Sequence, residues 1–155
     1  MLHRTLSLGL ALCCLGVPLT ARAVEIVRVW PGFRPAESFE TIGEFFGRGE
    51  YTGGRIVLRT QPEHRSGYYF LTRIREADAI TGAIMRVQLI FPESPVAKSY
   101  ARSVDIPPGR SVLNFGITGT DWPGDKVKPV AWRVTLQRSD GTEIVSEQSF
   151  LWAQP

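Results

Sequence analysis

The side chains that most often perform catalysis are scarce in this chain. It has two histidines and two cysteines, and His64 alone among these four lies beyond residue 23. A zinc site takes three or four ligands, usually from His and Cys, so a single histidine argues against one. A Ser-His-Asp triad would also depend on His64, which lies in the polar stretch 61–67, and the sequence has no Gly-x-Ser-x-Gly motif. We therefore expect an exposed loop histidine, no metal, no cofactor and no enzymatic activity.

Carboxylates recur at helical spacing in one segment. Glu37, Glu40 and Glu44 are three and four residues apart, which would place them on one face of a helix. A glycosidase needs two carboxylates held about 5 to 10 Å apart in a cleft, and a solvated helix face is the simpler interpretation. Asp121 and Asp125 flank a turn without the spacing of a calcium-binding loop.

Arginines form a pattern that could bind anions. Arg55 and Arg59 lie on one predicted strand, and Arg73 and Arg75 lie on the next. If these two strands pair, the four side chains could form a basic stripe on one face of a sheet. Guanidinium groups bind carboxylate and sulfate through paired hydrogen bonds, so the stripe could hold such a group or the acidic surface of a partner. A soluble outer face that simply carries charge is the alternative.

Aromatic side chains form a second candidate set. Five of them lie at or near predicted loops: Trp30, Tyr51, Tyr68, Tyr69 and Trp122. Exposed rings can stack on sugars or anchor a partner protein. Trp122 lies in a Pro-Gly turn, so we expect it to be the most exposed, with Tyr68 and Tyr69 as further candidates. Trp132 and Phe115 fall on inward faces of strands and should lie in the core.

The N-terminal residues predict export. Arg4 precedes the apolar stretch 6–19, and Ala21-Arg22-Ala23 provides an A-x-A cleavage site. Residues 1–23 are therefore predicted to be a signal peptide, and the exported chain is expected in the periplasm or outside a bacterial cell. The later residues contain no apolar stretch long enough to cross a bilayer as a helix.

The charge balance of the exported chain excludes one class of partner. Arg4 and Arg22 lie in the predicted signal, so the 18 Lys and Arg residues fall to 16 against 15 Asp and Glu. The net charge then changes from +3 for the whole sequence to +1. A nearly neutral chain lacks the basic footprint of a nucleic-acid-binding protein.

The remaining sequence alternates like strands of an antiparallel β-sandwich. Turn signals separate eight strand candidates, at 24–30, 55–60, 68–75, 84–91, 96–106, 111–118, 130–137 and 143–152. One helix is predicted over 35–46, where Phe39, Ile42 and Phe46 share a face. We expect residues 24–155 to form one domain, a β-sandwich of immunoglobulin-like size with seven or eight strands and one short helix after the first.

These observations favour a function by contact rather than by catalysis. The leading hypothesis is an exported, non-catalytic β-sandwich whose surface binds another envelope or secreted component. The alternative is a carbohydrate-binding module that uses the exposed Trp and Tyr rings together with arginines. Residues 33–54 interrupt the strand pattern, and they could either carry recognition or cap the open end of the sandwich.

Overall fold

The computed structural model describes residues 24–40, 44, 50 and 52–153. These residues form eight strands: β1 (Glu25–Arg34), β2 (Ile56–Arg59), β3 (Gly67–Glu76), β4 (Ile80–Phe91), β5 (Ser94–Ile106), β6 (Gly109–Thr118), β7 (Ala131–Gln137) and β8 (Glu143–Gln148). The same described residues contain three 3-10 helices: Ala36–Phe39 after β1, Gly119–Asp121 after β6 and Phe150–Ala153 after β8. No helix in this described part of the chain is long and apolar enough to span a membrane.

The strands form two four-stranded sheets, which confirms the predicted β-sandwich. Sheet A has the order β1-β3-β6-β2, and sheet B has the order β5-β4-β7-β8. All neighbouring strands are antiparallel except β2 and β6, which run parallel. The consecutive strands β2 and β3 run in opposite directions, and β6 lies between them. It is antiparallel to β3 and therefore parallel to β2.

The core lies between the sheets and follows the predicted alternation. On β4 the buried positions include Met85, Val87 and Leu89, and on β6 they include Leu113 and Phe115. All five side chains are at most 1% exposed. Fully burying a large aliphatic or aromatic side chain contributes about 1.5–3 kcal/mol, so these strands dominate the stability of the fold.

Trp132 of β7 was also expected in the core, and it lies at the core's margin. It is half-buried, and its ring meets the edge of Phe70 with the centroids 5.8 Å apart.

The segment after β1 differs from the single helix predicted over 35–46. A short helix does follow β1, but it is one 3-10 turn, Ala36–Phe39. Glu40 has an extended backbone (φ −77°, ψ 138°), so the helix ends there. The Phe39 ring packs on Tyr69 of sheet A, and Glu44, farther along the predicted helix, again has a helical backbone. Residues 41–43 and 45–49 lie outside the described residues, as does the predicted signal peptide 1–23.

Arg102 of β5 joins the two sheets along one side. Its Nε donates a hydrogen bond to the carbonyl of Arg59 at 3.0 Å, and its Nη2 donates to the carbonyl of Thr60. Arg59 ends β2, the edge strand of sheet A, and β5 is an edge strand of sheet B. The side chain thus satisfies carbonyl groups that an edge strand leaves without a partner strand.

Candidate functional site

The three aromatic rings predicted to be exposed are buried, so that prediction is wrong. Trp122 is 6% exposed, Tyr68 is 8% exposed and Tyr69 is 1% exposed. The turn that carries Trp122 folds back onto the sandwich, where its ring stacks on Tyr68 with the centroids 4.6 Å apart. The Phe91 ring also packs against Trp122, with the centroids 5.6 Å apart. Turn residues are usually exposed, but the free energy gained by burying the large aromatic surface of Trp122 favours this packed position. These rings cannot stack on a sugar in this conformation.

Tyr69 is buried on the outer face of sheet A rather than in the core. Its ring lies beside Phe39, with the centroids 4.8 Å apart, and across Gly116 of β6. Its hydroxyl donates to the carbonyl of Arg65 at 2.6 Å and accepts from Arg59 Nε at 2.9 Å. Burial raises the pKa of the Tyr69 hydroxyl, against an opposing effect of Arg59, so it remains a proton donor.

Arg59 is committed to contacts within the protein. Its side chain is 9% exposed, and its two Nη atoms bind both oxygens of Glu50, at 2.8 and 2.5 Å. The guanidinium carbon also lies 5.0 Å from the centre of the Phe39 ring. The hydrogen bond from Arg59 lowers the pKa of Glu50, and the same bond raises the pKa of Arg59 against the effect of burial. Arg59 is therefore not available to an external ligand.

Residues 33–54 supply this cover, which lies on an outer face of the sandwich. We call Phe39, Glu44 and Glu50 the covering residues. Phe39 and Glu50 contact Tyr69 and Arg59, and Glu44 accepts a hydrogen bond from Arg65 Nη1 at 2.7 Å. These three side chains cover part of the outer face of sheet A, and whether the segment also binds a partner stays a prediction.

The predicted basic stripe does not form, because β2 and β3 do not pair. The Arg59 side chain is 9% exposed, Arg55 is exposed just before β2, and β6 lies between β2 and β3. Arg73 and Arg75 do lie side by side on the exposed outer face of β3. The neighbours of β3 are β1 and β6, and they bring a different set of residues to this face.

Four arginines meet on the outer face of sheet A, and we call them the arginine cluster: Arg28, Arg73, Arg75 and Arg110. In the register of the sheet, Arg28 lies opposite Arg73, and Arg110 lies opposite Arg75. Residues directly opposite on neighbouring strands point to the same face, with their Cβ atoms about 4.5–5.5 Å apart. All four residues are exposed.

An aromatic ring and two valines lie beside the arginine cluster. The guanidinium carbons of Arg28 and Arg73 lie 5.1 and 5.3 Å from the centre of the Trp30 ring. A depression of about 380 Å³ is lined by Val27, Arg73, Arg75, Arg110 and Val112. Val27 reaches this face because the register of β1 shifts between Ile26 and Arg28.

One carboxylate lies within this group of cations. Glu25 pairs with Arg75 at 3.1 Å, and both side chains are 54% exposed. Such a surface pair contributes at most about 1 kcal/mol and can exchange for other partners. The four guanidinium groups outnumber the Glu25 carboxylate among these described residues, so the cluster is positive and can bind carboxylate, sulfate or phosphate groups through hydrogen bonds.

Sequence reasoning missed Arg28 and Arg110. For Arg110 a signal was present, because Ser111, Leu113 and Phe115 alternate inward and place residue 110 on the opposite face. For Arg28 the irregular register of β1 hid the alternation. Neither residue could be placed beside Arg73 or Arg75 without the strand order.

His64 lies at an exposed site, as predicted for a loop histidine. Its side chain is 55% exposed and its Nε2 is 3.8 Å from a Glu63 oxygen. It lines an open depression of about 490 Å³ at one end of the sandwich, together with Ser66, Trp122 and Asp125. Within residues 24–40, 44, 50 and 52–153, no three His, Cys, Asp or Glu side chains form a set that could hold a metal ion.

Compared with models of known protein families and with curated protein sequences, the chain gives no match.

Proposed function

We propose that this is an exported, non-catalytic β-sandwich protein that acts by surface contact with another envelope or secreted component. The observation that carries the proposal is the arginine cluster beside Trp30 on the outer face of sheet A. Arginine and tryptophan are enriched where proteins bind partners, and a surface with four guanidinium groups selects an anionic one.

The scaffold supports this use of the face. Arg73 and Arg75 belong to β3, which is hydrogen-bonded on both sides by β1 and β6. The opposite face of β3 packs Phe70 and Ile74 into the core at 0% and 1% exposure. A central strand anchored in this way holds its outward side chains on a rigid base, which reduces the entropy lost on binding.

Carbohydrate binding is the alternative function, and it would need a different aromatic ring from those that the sequence predicted. The rings first assigned to it, Tyr68, Tyr69 and Trp122, are buried. A sugar-binding role would now depend on Trp30, which is half-buried and already contacts Arg28 and Arg73. This arrangement favours an anionic partner over a neutral sugar, because a neutral sugar needs an open aromatic face and gains little from clustered guanidinium groups.

Affinity capture from the envelope fraction tests the proposal. The exported chain would be compared with Arg73→Glu/Arg110→Glu, which reverses two charges of the cluster. The matched control is Lys126→Glu/Arg138→Glu, which changes the net charge equally at two exposed positions outside the cluster. We expect the same component to be retained by the exported chain and the control and lost by the cluster variant. Equal retention by all three proteins would contradict the proposal.

A further inference from the structure

The two halves of the outer face of sheet A differ in what contacts them. In one half, the chain's own Phe39 and Glu50 cover Tyr69 and Arg59. Tyr69 is 1% exposed, and the side chain of Arg59 is 9% exposed. In the other half, the arginine cluster is exposed. Both halves present guanidinium groups next to an aromatic ring, and β3 runs through both, with Tyr69 in the covered half and Arg73 and Arg75 in the cluster.

The covered half shows which chemistry this face binds. Glu50 places one carboxylate oxygen on each Nη atom of Arg59, and Phe39 lies 5.0 Å from the same guanidinium. Nearby, Glu44 accepts a hydrogen bond from Arg65 at 2.7 Å. The occupant of this half is thus a segment of polypeptide that offers carboxylates and an aromatic ring.

We infer that the arginine cluster binds an acidic segment of a partner protein, which offers carboxylates and an aromatic side chain as the covering residues do. The inference rests on the proposed function and names the partner's chemistry. The cluster repeats the elements of the covered half, because Arg28 and Arg73 lie next to Trp30 and Arg75 and Arg110 flank the depression. Charge complementarity selects carboxylates, and each guanidinium can bind one through two hydrogen bonds.

The apolar part of the depression favours a polypeptide over a sulfated or carboxylated glycan. Val27 and Val112 lie among the three arginines that line it. The methylene groups of a glutamate side chain can pack on the valines while its carboxylate reaches a guanidinium. A glycan would present hydroxyl groups to the valines and would need a ring face of Trp30 that is not shared with two arginines.

The experiment uses two anionic probes with the exported chain. One is a fluorescein-labelled nine-residue peptide of sequence GEFEGEFEG, with the peptide GQFQGQFQG as its uncharged control. The other is a sulfated oligosaccharide of similar charge. The oligosaccharide carries the same label, and the binding of each probe is measured separately by fluorescence anisotropy. The proteins compared are the exported chain, Arg73→Glu/Arg110→Glu and Lys126→Glu/Arg138→Glu. Thermal unfolding verifies that each variant is folded.

We expect the acidic peptide to bind the exported chain and the lysine–arginine control variant alike. Its Kd should rise about tenfold or more for the cluster variant, and binding should weaken with added salt. The glutamine peptide should bind at least about tenfold more weakly than the acidic one, because it offers no charge to the guanidinium groups.

Three results would overturn the inference. Cluster-dependent binding of the oligosaccharide without the peptide would assign the site to a glycan and leave the proposed contact function in place. Equal weakening by both double variants would show a general effect of charge. Absence of peptide binding would also refute the acidic segment, and the capture experiment would then decide the proposed function independently.

Discussion

Gly116 is the position where the covered half of sheet A leaves no room for a side chain. A Cβ atom built there would lie 2.3 Å from one carbon of the Tyr69 ring and 2.6 and 2.8 Å from two others. Real Cβ atoms do not approach other heavy atoms this closely, so Gly116→Ala must displace the ring. The ring carries the hydroxyl that bonds Arg65 and Arg59, and it contacts Phe39.

The expected cost combines two effects. Overpacking a well-filled site costs about 1–3 kcal/mol, and weakening a hydrogen bond of the Tyr69 hydroxyl adds about 1 kcal/mol. We expect Gly116→Ala to lower the free energy of unfolding by about 2–4 kcal/mol. Urea unfolding followed by tryptophan fluorescence measures this value, and an unchanged m-value would show that the unfolded state is not the cause.

A second background makes the test specific to the ring. In Tyr69→Ala the collision is absent, and replacing glycine by alanine then restricts the unfolded chain, which stabilises by about 0.4–1 kcal/mol. Gly116→Ala should therefore be neutral or slightly stabilising in this background. An equal loss of stability in both backgrounds would refute the contact between the Tyr69 ring and residue 116.

Three further predictions concern charges on the same face. Glu50→Gln should lower the free energy of unfolding in urea by about 1–3 kcal/mol, because the Arg59 side chain is 9% exposed and loses its carboxylate partner. Glu25→Gln is the matched control: its partner Arg75 is 54% exposed, so the loss in the same assay should be less than about 1 kcal/mol. Because Arg59 lowers the pKa of Glu50 from its usual 4.5, the stabilisation from this pair should be present above pH 4.5 and disappear as the pH falls through the lowered value. The stability difference between the unsubstituted protein and Glu50→Gln should therefore vanish in acid, and a constant difference would contradict the assignment. Arg73→Glu/Arg110→Glu should change the free energy of unfolding by less than about 1 kcal/mol, because both side chains are exposed, and a larger loss in urea would show a structural role for the cluster.

The fold was readable from local patterns. Alternation along β3, β4 and β6 identified the strands, and it placed Met85, Leu89 and Phe115 in the core and Arg73 and Arg75 outside. Successive side chains of a strand point to opposite faces, so a few consecutive residues are enough to assign its buried and its exposed face. The signal peptide, the domain limits and the contact function remain predictions.

The site was not readable in the same way, because it depends on strand order. β6 lies between β2 and β3, so Arg59 is separated from Arg73, and Arg110 takes the place beside Arg75. Burial of a turn residue is equally non-local: Trp122 is buried because its turn returns to Tyr68, more than fifty residues earlier in the sequence. The pairing of Glu50 with Arg59 forms outside regular ladders and has no periodic signal.

Site-specific photo-crosslinking in cells that make the protein tests most directly whether the arginine cluster is the binding surface. A photoreactive phenylalanine would replace Val112, which lines the depression, or Val96, which is 71% exposed on β5 of the other sheet. We expect a discrete adduct of one partner from position 112, lost when Arg73→Glu is added, and no such adduct from position 96. Equal labelling from both positions, or an adduct from 96 alone, would contradict the assignment.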